Sequence, residues 1–413
     1  MMDSDGVLRH LAFFEELGRM EETDAGWRSV SAGLVVMRLV DSWIADGPTA
    51  SRVDSWGVSA VREAIAQIAE TTPIKRILTS VVDVMVSSTA IDLHALCPRL
   101  MAYGQALEYE AKWGLAADVY GAIVAHAHPV EDSDLAIAAN LQLAFCLRTM
   151  GELDAAATSY QRATEVAHAA GDMIGILRGR LGDAKIATAR GNFPRAESIL
   201  EETIGQARCE GLADVQSRAL IDRAYIAGLS GQYERTIRYS YDALAITSSN
   251  RERDRILTNI ATAFRFLGVL KAARDAYLVL VATAEEQYIR WVAELNLMEL
   301  AAQQRIELQF DKYRRELGDA DLSPQLRIMY LLHVGRGYHA LGNAPDGVPY
   351  LEQAIEMASR YGLNQMLFEA ESALADARSG RRVSLDVEAP DLDADVQEVA
   401  EAIHEMREAV AAI

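Results

Sequence analysis

Two short clusters carry the side chains best suited to bind a metal: His126 and His128 in AHAHP, and Asp92, His94 and Cys97 upstream. Residues two apart on a helix point in different directions, and Pro129 places the first cluster in a loop. Packed or solvated histidines are therefore expected, and no metal is assigned. No phosphate-cradling GxxxxGKS or GxxxxGKT loop occurs, nor GxGxxG after a strand, nor GxSxG, nor HExxH. The scattered carboxylates read as solvated faces, because spacing alone cannot bring a pair into one cleft. No catalytic residue, cofactor or enzymatic activity is assigned. From Ser51, SRVDSWGVSAVREAIAQIAE suggests a helix, a turn at Gly57 and a second helix capped by Ser59. With only Arg52 and Arg62 as cations it is too poor in positive charge for a DNA-reading element. A plain helical hairpin is expected.

Whatever positions such groups must be helical. The chain has 413 residues, half of them apolar, with 7% aromatics and nine prolines, a helix-forming mixture. Its formal charge of -20 repels phosphate, so neither nucleic acid nor an anionic membrane is an expected partner. The apolar runs at 32–45 and 77–91 are too short to span a membrane and are broken by Arg38, Asp41 and Asp83. The first residues, MMDSDGVLRH, lack an export signal. Cys97, Cys146 and Cys209 stand far apart without CxxC spacing, as expected for reduced thiols. A cytoplasmic protein is expected.

Self-similarity decides the organisation. Segments opening at Gly151, Gly191, Gly231, Gly268 and Gly342 share one layout. Two residues after the glycine stand Leu153, Phe193, Tyr233, Leu270 and Ala344; five after it, the small residues Ala156, Ala196, Thr236, Ala273 and Gly347. Seven before it come Ala144, Ala184, Ala224, Ala261 and Gly335. Glycine supplies the left-handed turn that ends one helix. The small residues let two antiparallel helices approach, and larger apolar ones fill the space between pairs. Two further units fit by register, turning at Ala111 and at Leu308, the latter followed by Phe310, Tyr313 and Leu317 with Ala301 upstream. The turns then fall at 111, 151, 191, 231, 268, 308 and 342.

This pattern resembles the tetratricopeptide repeat family over 93–379. The resemblance implies an all-α solenoid of about seven units, a right-handed superhelix of antiparallel helix pairs. The spacing here is mostly near 40 residues against the usual ~34, similar to the long-period subclass of kinesin light chains and bacterial repeat regulators. One departure is polar: Asp183 and Arg223 stand where the family is normally apolar, which predicts rotated or shifted helices there.

Residues 1–92 show helical periodicity without a repeat. A helix through Trp27, Leu34, Met37, Val40 and Trp43 is expected to stop at Gly47-Pro48 and to be capped by Asp24, with further helices over 51–70 and 75–87. They are expected to cap the array, with a separate helical domain as the alternative. Residues 380–395 read as an acidic linker. In 396–413, Val396, Val399, Ile403, Met406 and Val410 form one apolar stripe. Two readings stay open for this tail: a cap on the last repeat, or a segment that docks in the protein's own groove.

In the tetratricopeptide family the first helix of each pair lines a groove that holds peptides, on the face 13, 9, 6 and 3 residues before each turn. The resemblance places Arg148, Arg178, Lys185, Arg218, Tyr225, Arg255, Asn259, Arg265, Arg305 and Arg336 there, with Glu299 and His333 among the residues nine before. Arginines on one face suit carboxylates, unless they pair with neighbouring acids. The family's lysine-asparagine clamp for a terminal carboxylate has only Arg255 and Asn259 to match it, so it is not assigned. The expected function is a non-catalytic scaffold or adaptor taking an acidic or extended protein segment. A peptide-responsive regulator that changes curvature is the first alternative, an enzyme the second.

Overall fold

The computed structural model describes residues 9–24, 26–50, 55–88, 90–379 and 392–411, without the side chains of 46–50, 55 and 56. The described residues form helices and no strand. The chain divides into two compact units, 1–192 and 193–413.

The first four helices are α1 (Leu11–Arg19), α2 (Trp27–Ala50), α3 (Ser55–Ala66) and α4 (Pro73–Ser87). Proline, whose missing N–H costs nothing at a first helical position, opens α4. The expected stop at Gly47-Pro48 does not occur, since α2 continues to Ala50. Asp24 turns its carboxylate back to the amide of Glu21, while its carbonyl accepts from Trp27. The hairpin expected from Ser51 is overturned as well. Gly57 and Ser59 both lie inside α3, and residues 51–54 fall outside the described set.

Among the described residues fourteen helices follow, alternately leading and trailing, and within each unit a leading helix packs on the trailing helix after it. Their leading helices are α5 (Leu93–Tyr109), α7 (Ser133–Thr149), α9 (Met173–Ala189), α11 (Ala213–Leu229), α13 (Asn250–Phe266), α15 (Gln287–Gln303) and α17 (Pro324–Ala340). Each has 17 residues. The trailing helices are α6 (Trp113–His126), α8 (Leu153–Ala170), α10 (Phe193–Cys209), α12 (Tyr233–Ile246), α14 (Leu270–Thr283), α16 (Glu307–Gly318) and α18 (Ala344–Arg360). Then come α19 (Asn364–Ser379) and α20 (Ala394–Ala411).

Every leading helix ends in the same three-residue turn, whose middle residue has positive φ: Ala111, Gly151, Gly191, Gly231, Gly268, Arg305 and Gly342. The next amide bonds back five residues in all seven turns, as in Lys112 N to Leu107 O and Ile306 N to Ala301 O. This is the Schellman arrangement, which satisfies carbonyls that a helix end leaves open. The turn expected at Leu308 is thus a misregistration. The true centre is Arg305, and Leu308 lies within α16, 86% exposed. With that correction the period is 40 residues up to Gly231 and 37 thereafter. The helices holding Asp183 and Arg223 are not shifted: α9 and α11 keep the common length and turn, and Arg223 lies 4.6 Å over the Tyr239 ring.

In the pair α17 and α18 the backbones nearly touch. A Cβ on Gly335 would lie 2.4 Å from Leu351 Cγ, and one on Gly347 would lie 2.5 Å from the Gly335 carbonyl oxygen. The sixth pair breaks the rule of small residues. Met298 and Phe310 occupy the two small positions, both buried, and Phe310 finds room against Gly337 of the next leading helix, where a Cβ would lie 2.2 Å from its ring.

Leading helices of neighbouring pairs touch within each unit, α5 with α7 and α7 with α9 in the first, α11 with α13, α13 with α15, α15 with α17 and α17 with α19 in the second. Trailing helices of neighbouring pairs do not, so the leading helices form the inner side of each unit. One apolar core in the first unit runs from Phe13 through Met37, Trp43, Leu78 and Tyr103 to Cys146, so α1–α4 and the first pairs share it.

The acidic tail does not follow either sequence expectation. Residues 380–391, with Asp386, Glu388 and Asp391, lie outside the described set. Helix α20 packs on the trailing helices α14 and α12, neither ending the repeat stack nor lying on its inner side. Asp393 and Asp395 pair with Arg238, where Arg255, Arg265, Arg305 and Arg336 were expected.

Two left-handed residues other than glycine sit at turn centres, and an L side chain there costs about 1–2 kcal/mol. Allowing for glycine's own entropy, Arg305→Gly should raise stability by about 0.5–1 kcal/mol in urea unfolding. An unchanged or lower midpoint would show that the turn is not centred at 305.

Candidate functional site

With the register corrected, the inner faces can be read pair by pair. In the first unit Arg148 is half-buried with its guanidinium 5.5 Å over the Phe145 ring, Arg178 is exposed and Lys185 half-buried. In the second unit Tyr225 and Arg255 are exposed and Asn259 is half-buried. Arg255 has no ion pair among the described residues. Arg305 leaves the inner face altogether, because it occupies the exposed turn between α15 and α16.

The other three arginines form a ladder from one leading helix to the next. Arg218 on α11 pairs with the buried Glu252 on α13 at 2.5 Å; Arg265 on α13 pairs with Glu299 on α15 at 3.3 Å; Arg336 on α17 pairs with Glu369 on α19 at 3.6 Å. His333 Nδ1, on α17, also lies 3.3 Å from Glu299. Neighbouring acids thus absorb much of the positive charge that the sequence seemed to offer a ligand. Burial alone would raise Glu299, but His333, Arg265 and Arg336 outweigh it and hold the carboxyl below the ordinary range. Burial lowers His333, against the pull of Glu299.

Beside this network lies a cavity of about 220 Å³ among α15, α17 and α19. Small residues line it: Ala302, Ala340 and Ala373, with the backbone of Gly337. Polar groups border it, including Glu299, Gln303, Arg336, His339, Ser372 and Asp376. Such a setting accommodates one side chain of an extended ligand and offers hydrogen-bond partners to the backbone beside it. Sequence reasoning did not single out Ala302, Gln303 and Ala340: Ala302 falls on the inner face in either register but carries no polar group to mark it, and Gln303 and Ala340 stand two residues before their turns, off the face that was read.

A second polar cluster, in the first unit, joins segments far apart in sequence. His10 donates from Nδ1 to Asp118 at 2.6 Å and from Nε2 to Asp41 at 3.2 Å; His126 contacts the other oxygen of Asp41 at 2.9 Å, and Arg9 donates to Asp41 at 3.1 Å. Burial alone would lower His10, but its bonds to Asp118 and Asp41 raise it to about 9. Asp41 is held well below the usual carboxylate range by His10, His126 and Arg9, against the opposing effect of burial. His126 is thereby a structural partner. His128 caps a loop instead, accepting from the amides of Val130 and Glu131. Burial pushes the Cys97 thiol up to about 12. No group of three metal-binding side chains converges among the described residues.

No family model matches the chain, and no curated protein matches it. Among solved structures, a Rap protein complexed with competence and sporulation factor is 12% identical, with a TM-score of 0.42 over 85% of this chain and 98% of the other. A likeness that distant carries no functional argument. Among the described residues, no helix is long and apolar enough to cross a membrane.

His10 binds its proton more tightly in the folded than in the unfolded chain. Its contribution is therefore full below about pH 6.5 and lost as the pH rises through about 9, whereas that of Asp41 is full above about pH 3.8 and lost in acid. The urea midpoint should fall between pH 6.5 and 9, and His10→Ala should lower it at pH 6 and flatten that fall. The same slope in both proteins would exclude His10 as its source.

Proposed function

We propose that this chain is a non-catalytic cytoplasmic scaffold of the long-period tetratricopeptide type, which binds an extended peptide or protein segment along the inner faces of its leading helices. The observation that carries this reading is the cavity between α15, α17 and α19, a hollow floored by small residues and bordered by polar groups on the inner side of the second unit. An extended segment needs partners for its backbone N–H and C=O groups when it leaves water. Asn259 and Gln303 are suited to supply them, and the exposed Tyr225 offers a rigid contact surface. Because three arginines are already paired, the acidity of the segment matters less than its extended form. Buried free thiols at Cys97 and Cys146 fit a reducing compartment.

A regulator whose curvature responds to its ligand is the second reading, favoured by the ion-pair ladder. Each rung links one leading helix to the next, so a ligand that takes over Arg336 would release Glu369 and loosen α17 from α19.

Peptides selected from a random display library on the full-length chain provide the test. Ala340→Trp, which fills the cavity, should weaken the selected binders roughly tenfold or more while leaving the melting temperature nearly unchanged. Binders indifferent to that substitution, or a library that yields none, would contradict the proposal.

A further inference from the structure

The trailing helices present matching outer positions four, seven and eleven residues after each turn centre. In α8 these are Ala155, Thr158 and Arg162, and in α10 they are Arg195, Ser198 and Glu202, all exposed. In α14 they are Ala272, Asp275 and Val279, all buried. This helix alone among the three is covered on its outer side, and α20 is the element packed there. The fit is chemical as well as steric. Val396, Val399 and Ile403 are fully or nearly fully buried. His404 Nδ1 lies 2.8 Å from Asp275, a carboxylate only 2% exposed. At the other end of α20, Asp393 and Asp395 hold Arg238 of α12.

We propose that the outer face of α12 and α14 is a docking site for an amphipathic helix, and that α20 is its detachable occupant and not a fixed part of the repeat array. Three observations support this. Helix α20 touches α12 and α14 and, among the described residues, neither α18 nor α19, which precede it in the chain. Its buried anchor is three side chains, against seven in α14 itself. Its polar contacts run through half-exposed groups, Arg238 and His404, which water reaches. An element so held opens locally before the core does. The partner this face fits is an amphipathic helix with carboxylates in its first turn for Arg238, apolar residues at the spacing of 396, 399 and 403, and a cationic group opposite Asp275. In the resting chain α20 fills that role and screens the face from such a partner.

The test uses the full-length chain and a fluorescent peptide of residues 392–411. The double substitution Val399→Asp/Ile403→Asp in the chain removes the apolar anchor of α20 while leaving the face intact. The wild-type peptide should bind this variant saturably and the unmodified chain roughly 100-fold more weakly, since a tethered competitor acts at an effective concentration near millimolar. Adding Asp275→Asn to the variant should weaken the peptide about tenfold, and a peptide carrying Val399→Asp should not bind. Hydrogen exchange on the unmodified chain gives a readout that needs no variant: amides of α20 should exchange roughly 100-fold or more faster than those of α14. The proposal falls if the peptide fails to bind the folded variant, if it binds both chains equally, or if α20 is as protected as α14.

Discussion

The repeats within each unit rest on one close approach, the near-contact of the two helices of a pair across small residues. Those residues stand seven before and five after a left-handed turn, so helix end, crossing point and reversal are set together. Ala144 and Ala156, both fully buried, show the usual solution. Gly335 and Gly347 show it at its tightest. Where Met298 and Phe310 replace the small pair, the cost is met by the next helix, which offers Gly337. Packing of this kind has little tolerance for volume change in either direction. It leaves the outer and inner faces free to vary, and the chain differentiates its repeats there.

The inner faces vary by charge. A chain of formal charge -20 has acids in surplus, and its inner arginines meet some of them on the neighbouring leading helix. Such pairs are weak evidence for stability, because desolvation cancels much of the attraction in the buried Arg265–Glu299 pair and water screens the more exposed ones. Their geometry is more informative than their energy. Arg218–Glu252, Arg265–Glu299 and Arg336–Glu369 all run between successive leading helices, and His333 adds a second contact to Glu299. A ligand on this side competes with contacts that also hold the repeats to one another.

Much of the fold was legible because glycine at a turn is a local signal. Six of the seven turn centres could be read from the sequence, five of them glycines and one Ala111. The seventh, Arg305, could not, since nothing in its side chain announces a left-handed backbone; a register built on small residues slipped by three and carried Arg305 wrongly onto the inner face. The polar cluster around Asp41 was illegible for a different reason. His10, Asp41, Asp118 and His126 have no spacing that links them, and only the packing of α1 and α2 against α6 brings them together. The apolar stripe of α20 predicted burial without saying where. The missing half of that information lay in α14, whose Ala272, Ala276 and Val279 form an apolar outer stripe that α8 and α10 lack.

The central claim is that the ligand surface of the second unit is the inner side of its leading helices. A photo-crosslinking amino acid placed singly at Tyr225, Arg255, Arg195 or Glu202 tests it most directly, since all four are exposed, two on leading helices and two on the outer side of α10. A bound extended peptide should crosslink at 225 and 255 and leave 195 and 202 unlabelled. Labelling at 195 or 202 without labelling at 225 and 255 would contradict the account.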